Sequence, residues 1–363
     1  MPKVLLTGGG TAGHVTPNIA LFPYLKEKGF DIEYIGSYEG IERELIEPFG
    51  VPYTGIATGK MRRYLSAKNV SDVFRVIKGT GEAKKYMKEK KPDVVFSKGG
   101  FVAVPVVWAA ASCKIPVVIH ESDLSPGLAN KLCYSKANVI CYNFPETEKY
   151  LNDAGCADKA VRTGLPIRDG LKDGSPEKGR ELCGFTGEKP VLVVIGGSLG
   201  AVHVNNAVRA TLPQLLEKFQ VAHICGEGKT DETLDGTPGY KQFGYLNKEL
   251  ADVLAASDIL ISRAGANAIW EIVALHKPAV LIPLGTAASR GDQILNAQSF
   301  KEQGFAEVLT EEELSTESLF GAVCSVYENR EKYIAAMKDA GTHNAAAQVA
   351  DIIAAQLADQ QQG

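Results

Sequence analysis

Several kinds of segment are missing from this 363-residue chain. No run approaches the roughly 20 apolar residues that a helix needs to cross a bilayer. The N-terminus passes straight into an apolar segment, without the basic and then apolar stretches of a secretory leader. The seven cysteines are scattered and form no C-x-x-C pair, so neither a zinc ribbon nor a disulfide framework is indicated. These absences describe a reduced, cytoplasmic protein. An excess of positive charge is missing too: 39 Lys and Arg against 43 Asp and Glu leave a net charge of −4, which gives no reason to expect nucleic acid as a partner. A composition that is 45% hydrophobic and 23% charged belongs to an ordinary globular protein, and the length suits two domains.

What is present is one pattern written four times. The chain opens with KVLLTGGGTAGHVTP, a short apolar strand, a glycine-crowded turn and a helix from about Pro17. DVVFSKGGFVAVPVVWAA from Asp93, PVLVVIGGSLGAVHVNNAV from Pro190 and DILISRAGANAIWEIVA from Asp258 repeat the sequence of buried strand, glycine turn and helix. Such a turn lets backbone approach a ligand closely, and the helix N-terminus offers N–H groups and a partial positive charge to an anion. Further Val- and Ile-rich strands alternate with helical stretches, which predicts parallel sheets covered by helices on both faces. Two junctions fall in each half. We place the domain boundary near residue 164, with the Gly- and charge-rich segment from Arg168 to Pro190 as a hinge. The last helix, from about Asn344, belongs to either half.

One zone departs from the overall charge. Between Lys60 and Lys91 stand eleven Lys or Arg and three acids, a local excess of +8, with Val73, Phe74, Val76 and Ile77 as an apolar stripe. A basic amphipathic segment of this kind suits an anionic membrane surface. It equally suits a solvated helix whose apolar residues pack inward.

The four junctions call for diphosphate ligands. A dinucleotide enzyme needs G-x-G-x-x-G and then an acid at the end of the second strand. Here that strand, DIEYIG, ends in Gly36 and Ser37. Four glycine junctions in two similar halves fit two doubly wound domains facing across a cleft, with ligands at the strand C-terminal ends. The set GGTAGHVTP, HESDLSPGLANKL, TGLPIR, GGSLGA, SRAGANAIWE and SRGDQILNAQSF, in order from Val4 to about Phe305, resembles the MurG family of glycosyltransferases of peptidoglycan synthesis. The resemblance implies a GT-B fold and transfer of N-acetylglucosamine (GlcNAc) from UDP-GlcNAc to undecaprenyl-diphosphoryl-N-acetylmuramoyl-pentapeptide (lipid I), giving lipid II. It implies an enzyme peripheral to the cytoplasmic face of the membrane, with lipid I, an anionic membrane surface and other cell-wall synthesis proteins as partners.

Charge left on UDP must be stabilised. Many glycosyltransferases hold a divalent metal with D-x-D, and no D-x-D occurs in this chain, so no metal or other cofactor is expected. Preorganised N–H groups, hydroxyls and helix dipoles are the alternative. Ser198 in GGSLG and the turn of Ala266, Asn267 and Ala268 supply them; Ser198 serves equally as a helix cap. Glu271, one helical turn on, is the candidate for the ribose hydroxyls. The resemblance puts Asp292 and Gln293 on the GlcNAc hydroxyls, Leu246 at a uracil-contacting backbone position and Arg168 in the donor site. It brings Thr11, Ala12 and Gly13 to the acceptor diphosphate or the transferred sugar. His14 is the candidate general base for the muramoyl 4-hydroxyl in an inverting displacement. His120 and Glu121, at a strand end, could share that work. Three positions depart from the family: Ala12 stands where many members carry glycine, Ala268 where they carry a hydroxyl residue, and Asp123 where part of the family has asparagine. Asp123 is therefore a second candidate base. Residue chemistry also leaves room for another GT-B enzyme, acting on diacylglycerol or epimerising UDP-GlcNAc, and for a nucleotide-sugar-binding subunit.

Overall fold

The structure, a computed structural model, describes residues 1–59, 67–197, 200–286, 290–340 and 344–359. It divides into two compact units, Met1–Arg168 with His343–Gly363, and Asp169–Thr342.

Runs of Val, Ile and Leu form the strands because both faces of each sheet are covered, so successive side chains enter cores on opposite sides. In the first unit these are β1 (Lys3–Thr7), β2 (Asp31–Ser37), β3 (Tyr53–Ile56), β4 (Val94–Ser97), β5 (Val117–Glu121), β6 (Val139–Tyr142) and β7 (Ala160–Arg162). All pair in parallel, in the order β3-β2-β1-β4-β5-β6-β7. Leu5, Val95 and Ile119 enter one core, while Val4, Leu6, Val94, Phe96 and Val118 enter the other. The second core is completed by the C-terminal helix Ala345–Asp359, whose Val349, Ala350 and Ile353 are fully buried. The Asn344 amide donates to the Tyr24 hydroxyl at 2.7 Å, and Lys28 pairs with Asp351, so the last helix of the chain is fastened to the first.

The second unit repeats the plan with β8 (Val191–Ile195), β9 (Gln220–Ile224), β10 (Tyr240–Phe243), β11 (Ile259–Ser262), β12 (Ala279–Leu281) and β13 (Glu307–Val308), in the parallel order β10-β9-β8-β11-β12-β13. In each sheet the chain works outward from one central strand, then returns to start again beside it. Those reversals lie between β1 and β4 and between β8 and β11. They are where an open α/β sheet leaves a crevice for ligands. All four glycine junctions leave these four strands.

The segment from Arg168 to Pro190 is not a bare connection. It carries the helix Pro176–Cys183, capped by Ser175, whose hydroxyl accepts from Lys178 N at 3.3 Å. A Cβ on Gly179 would stand 2.1 Å from the Asp252 carbonyl oxygen, so glycine lets this helix pack flush on the helix Leu250–Ala256.

Candidate active site

The first reversal is built by two loops that touch. After β1 the chain passes through Gly8–Thr11 into a 3-10 turn, Ala12–His14, and then the helix Thr16–Glu27. After β4, Gly99 and Gly100 lead to the helix Ala103–Ser112. A Cβ on Gly100 would lie 2.2 Å from Gly9 O and 3.2 Å from His14 Nδ1; one on Gly10 would lie 2.3 Å from the Phe101 ring. These glycines are therefore required by the packing of one loop on the other. Underneath lies Glu42, fully buried, whose carboxylate accepts from Ser37 N at 2.8 Å and Gly10 N at 3.3 Å. A Cβ on Gly9 would fall 2.7 Å from its Cδ. His14 sits on top, its Nδ1 3.1 Å from Thr11 Oγ1.

The end of β5 adds a cluster of charge. Glu121, 4% exposed, accepts from Ser122 N at 2.8 Å, Asp123 N at 3.1 Å, Gly127 N at 3.0 Å and the Asn130 amide at 2.9 Å, which shapes the whole turn 122–127. Buried Lys98 donates to the Ser122 hydroxyl. His120 is wholly buried, with Nε2 2.9 Å from Gly164 O. Burial above all, and then the nearby Lys98 charge, keep its imidazole neutral. His120 has no solvent access with which to meet an incoming hydroxyl, and the Glu121 oxygens are taken up by four N–H donors. The geometry therefore gives both a role in holding the turn rather than that of the base. Asp123 remains half-buried at the turn.

In the second unit, Gly200 has φ +68, and a Cβ there would stand 2.0 Å from Cys225 O. Ser198 lies outside the described residues. After β11 the helix Ala266–Ala274 starts at Gly265 with no side-chain cap, and its half-buried Glu271 follows one turn later. The helix Asp292–Glu302 ties the adjoining loops together. Gln293 Oε1 accepts from Leu284 N at 3.0 Å, and the Asn296 amide donates to Ala264 O at 3.3 Å. Asp292 lies 3.5 Å from the Arg290 guanidinium. Arg263, 8% exposed, donates to Ile282 O and Pro283 O and reaches Glu311 at 2.6 Å. Burial pushes the Glu311 carboxyl up, but the Arg263 hydrogen bond and charge outweigh it and hold the group below its usual range. Leu246 is half-buried just beyond β10, and Arg168 is exposed where the first unit ends.

This doubled architecture has relatives. Residues 4–141 match the glycosyltransferase family 28 N-terminal domain and residues 191–355 its C-terminal domain. The chain belongs to glycosyltransferase family 28. Within it, a relative from Lachnospira eligens is 60% identical over 93% of this chain and 94% of its own. That relative is named UDP-N-acetylglucosamine–N-acetylmuramyl-(pentapeptide) pyrophosphoryl-undecaprenol N-acetylglucosamine transferase. The crystal structure of Acinetobacter baumannii MurG is similar with a TM-score of 0.75 at 25% identity, covering 97% of this chain and 99% of that one. A UDP-GlcNAc 2-epimerase from Neisseria meningitidis reaches 0.69 at 13% identity over 99% of this chain and 100% of its own, which reports the shared fold alone. Family 28 membership thus gives a GT-B protein and a hexosyltransferase. Within that frame His14, Thr11 and Asp123 occupy loops at one sheet end of the first unit, and Ala266, Asn267, Ala268, Glu271, Asp292 and Gln293 the corresponding loops of the second. Sequence reasoning passed over Glu42, Lys98, Arg263 and Glu311. Lys98 and Arg263 do follow strand ends directly at glycine junctions, and that placement was the available signal.

Proposed function

We propose that this chain transfers GlcNAc from UDP-GlcNAc to the 4-hydroxyl of the lipid I N-acetylmuramoyl unit, inverting the anomeric carbon and releasing UDP. The observation that carries the reading is 60% identity, over nearly the whole chain, to a transferase named for that reaction. The second unit takes the donor. The uncapped start of the helix Ala266–Ala274 aims a positive dipole end at the UDP diphosphate, with Ala266, Asn267 and Ala268 in its first turn. Glu271 accepts from the ribose hydroxyls. Gln293, its Oε1 occupied by Leu284 N, offers its amide N–H groups to the sugar beside Asp292. Leu246 flanks the base, and Arg168 and Ser198 complete the donor site.

The first unit takes the acceptor, with its diphosphate at Thr11, Ala12 and Gly13. The C1–O bond to UDP breaks as the muramoyl oxygen bonds to C1, and its proton passes to His14 or Asp123. No metal takes part. Among the described residues no helix is long and apolar enough to cross a membrane. On this reading the enzyme meets its lipid-borne acceptor as a peripheral protein on the cytoplasmic face. The helix Ala67–Lys90 supports a docking role, because Val73, Phe74 and Ile77 are exposed on it beside basic residues.

Purified protein given UDP-GlcNAc and a soluble lipid I analogue should release UDP and form the disaccharide, with EDTA present or absent. Glu271→Ala should raise the donor KM and leave the acceptor KM alone. UDP release that ignores the acceptor, equal use of diacylglycerol, or loss on chelation restored by magnesium would each contradict part of this reading.

A further inference from the structure

The end of β4 carries a charge that none of these roles employs. Lys98 is 1% exposed, and an ammonium so placed persists only where partners offset its desolvation. Its Nζ donates to the Ser122 hydroxyl, and the Glu121 and Asp123 carboxylates favour its charged form, while burial brings its pKa down to about 8. The other titratable groups facing it are His120, kept neutral by burial, and the Cys141 thiol, which burial pushes up to about 12. Neither changes charge near pH 8. A Cβ on Gly8 would come within 3.1 Å of the Lys98 Cβ, so the first glycine loop rests on the same residue. Lys98 thus lies where the loops after β1, β4 and β5 converge.

A methionine would fill this space without the cost of desolvating a charge, so the ammonium calls for a use. The Glu121 oxygens already take four N–H donors, three from the turn they organise and one from the Asn130 amide. Asp123 is the second carboxylate of that turn.

We propose that Lys98 is a positioning residue for the acceptor side of the reaction, its ammonium fastening the Ser122–Asp123 turn to the glycine junction after β4 and fixing the Asp123 carboxylate at the sheet end that bears His14. This rests on the reading that the first unit binds the acceptor. Lys98→Met should lower acceptor kcat/KM about tenfold or more with donor KM unchanged. In an Asp123→Asn background the same change should cost no more than about twofold, because the partner it acts through is gone.

Thermal melting shows whether Lys98→Met folds. A folded variant with normal acceptor kcat/KM, equal losses for donor and acceptor, or losses that add in the double variant would overturn the proposal. Should Lys98→Met not fold, the wild-type pH profile decides. Acceptor kcat/KM should fall as pH rises past about 8, and that limb should vanish in Asp123→Asn. A profile without the limb overturns the proposal. Wild-type protein that transfers nothing refutes the functional reading, and this proposal with it, whereas active wild type with a normal Lys98→Met variant refutes Lys98 alone.

Discussion

At the scale of single residues, the His14 tautomer decides what it can do. Its Nδ1 faces Thr11 Oγ1 at 3.1 Å. If Nδ1–H donates to that oxygen, Nε2 carries the lone pair and can take a proton; if the hydroxyl donates instead, Nε2 carries the hydrogen and cannot. A base therefore needs Thr11 as acceptor, the logic by which a partner on one ring nitrogen sets the other. His14→Ala should lower kcat by about 10²–10⁴, the usual worth of a positioned base, with little change in donor affinity. Thr11→Val, which keeps the shape and removes the oxygen, should lower kcat in the same sense by a smaller factor. Steady-state kinetics with a soluble acceptor measure both. Near-normal turnover of His14→Ala would pass the role to Asp123.

At the scale of elements, the glycine junctions serve two demands at once. Turns at a sheet reversal leave room for an anion, but here they must first fit each other. Gly100 has φ +80, and a side chain there would collide with Gly9 O. Gly100→Ala should destabilise the protein by about 2–4 kcal/mol, combining left-handed strain with overpacking. Gly184, with φ +68 and open space around it, should cost only the strain, about 1–2 kcal/mol, when changed to alanine. Denaturant unfolding of the two variants makes the comparison, and equal costs would show that loop packing contributes nothing.

The same junctions mark what could be read without coordinates. Strand, turn and helix follow one another locally, so the four repeats, the two parallel sheets and the candidate loops were legible from Val4 onward. The partners of those loops were not. Glu42 reaches the first loop from another segment. Although Phe101 and Lys98 stand in the second junction, nothing local shows that they pack against Gly10 and Gly8 of the first or that the lysine is buried. Val76 shows the same limit. It belonged to the expected apolar stripe, yet it is buried in the core, while Val73, Phe74 and Ile77 remain outside.

At the scale of the whole molecule, the chain's average charge hides its most polar feature. A protein of net charge −4 should be repelled by anionic lipid, but the zone from Lys60 to Lys91 holds an excess of +8. Its first residues, through Ser66, lie outside the described ones. The remainder includes the helix Ala67–Lys90, where Phe74 is 68% exposed and Ile77 61%. Lys78 and Lys85 lie 3.7 and 3.9 Å from Glu82 and Glu89, two of the three acids that the excess of +8 already counts. Apolar side chains that enter the headgroup layer and lysines that hover above it act together. Each lysine contributes about 1 kcal/mol, screened beyond a Debye length of about 8 Å at physiological salt. The wild type should therefore bind vesicles containing anionic lipid and leave them as salt is raised. Lys84→Ala with Lys85→Ala should weaken binding by about 2 kcal/mol, roughly thirtyfold. Phe74→Ala with Ile77→Ala should weaken it at every salt concentration, since burial of apolar surface is not screened. Both pairs should lose activity on vesicle-embedded acceptor and keep it on a short-chain soluble one. Equal losses on the two acceptors would place these residues in acceptor binding or in the fold, and wild-type vesicle binding that ignores salt would leave the basic zone without this role.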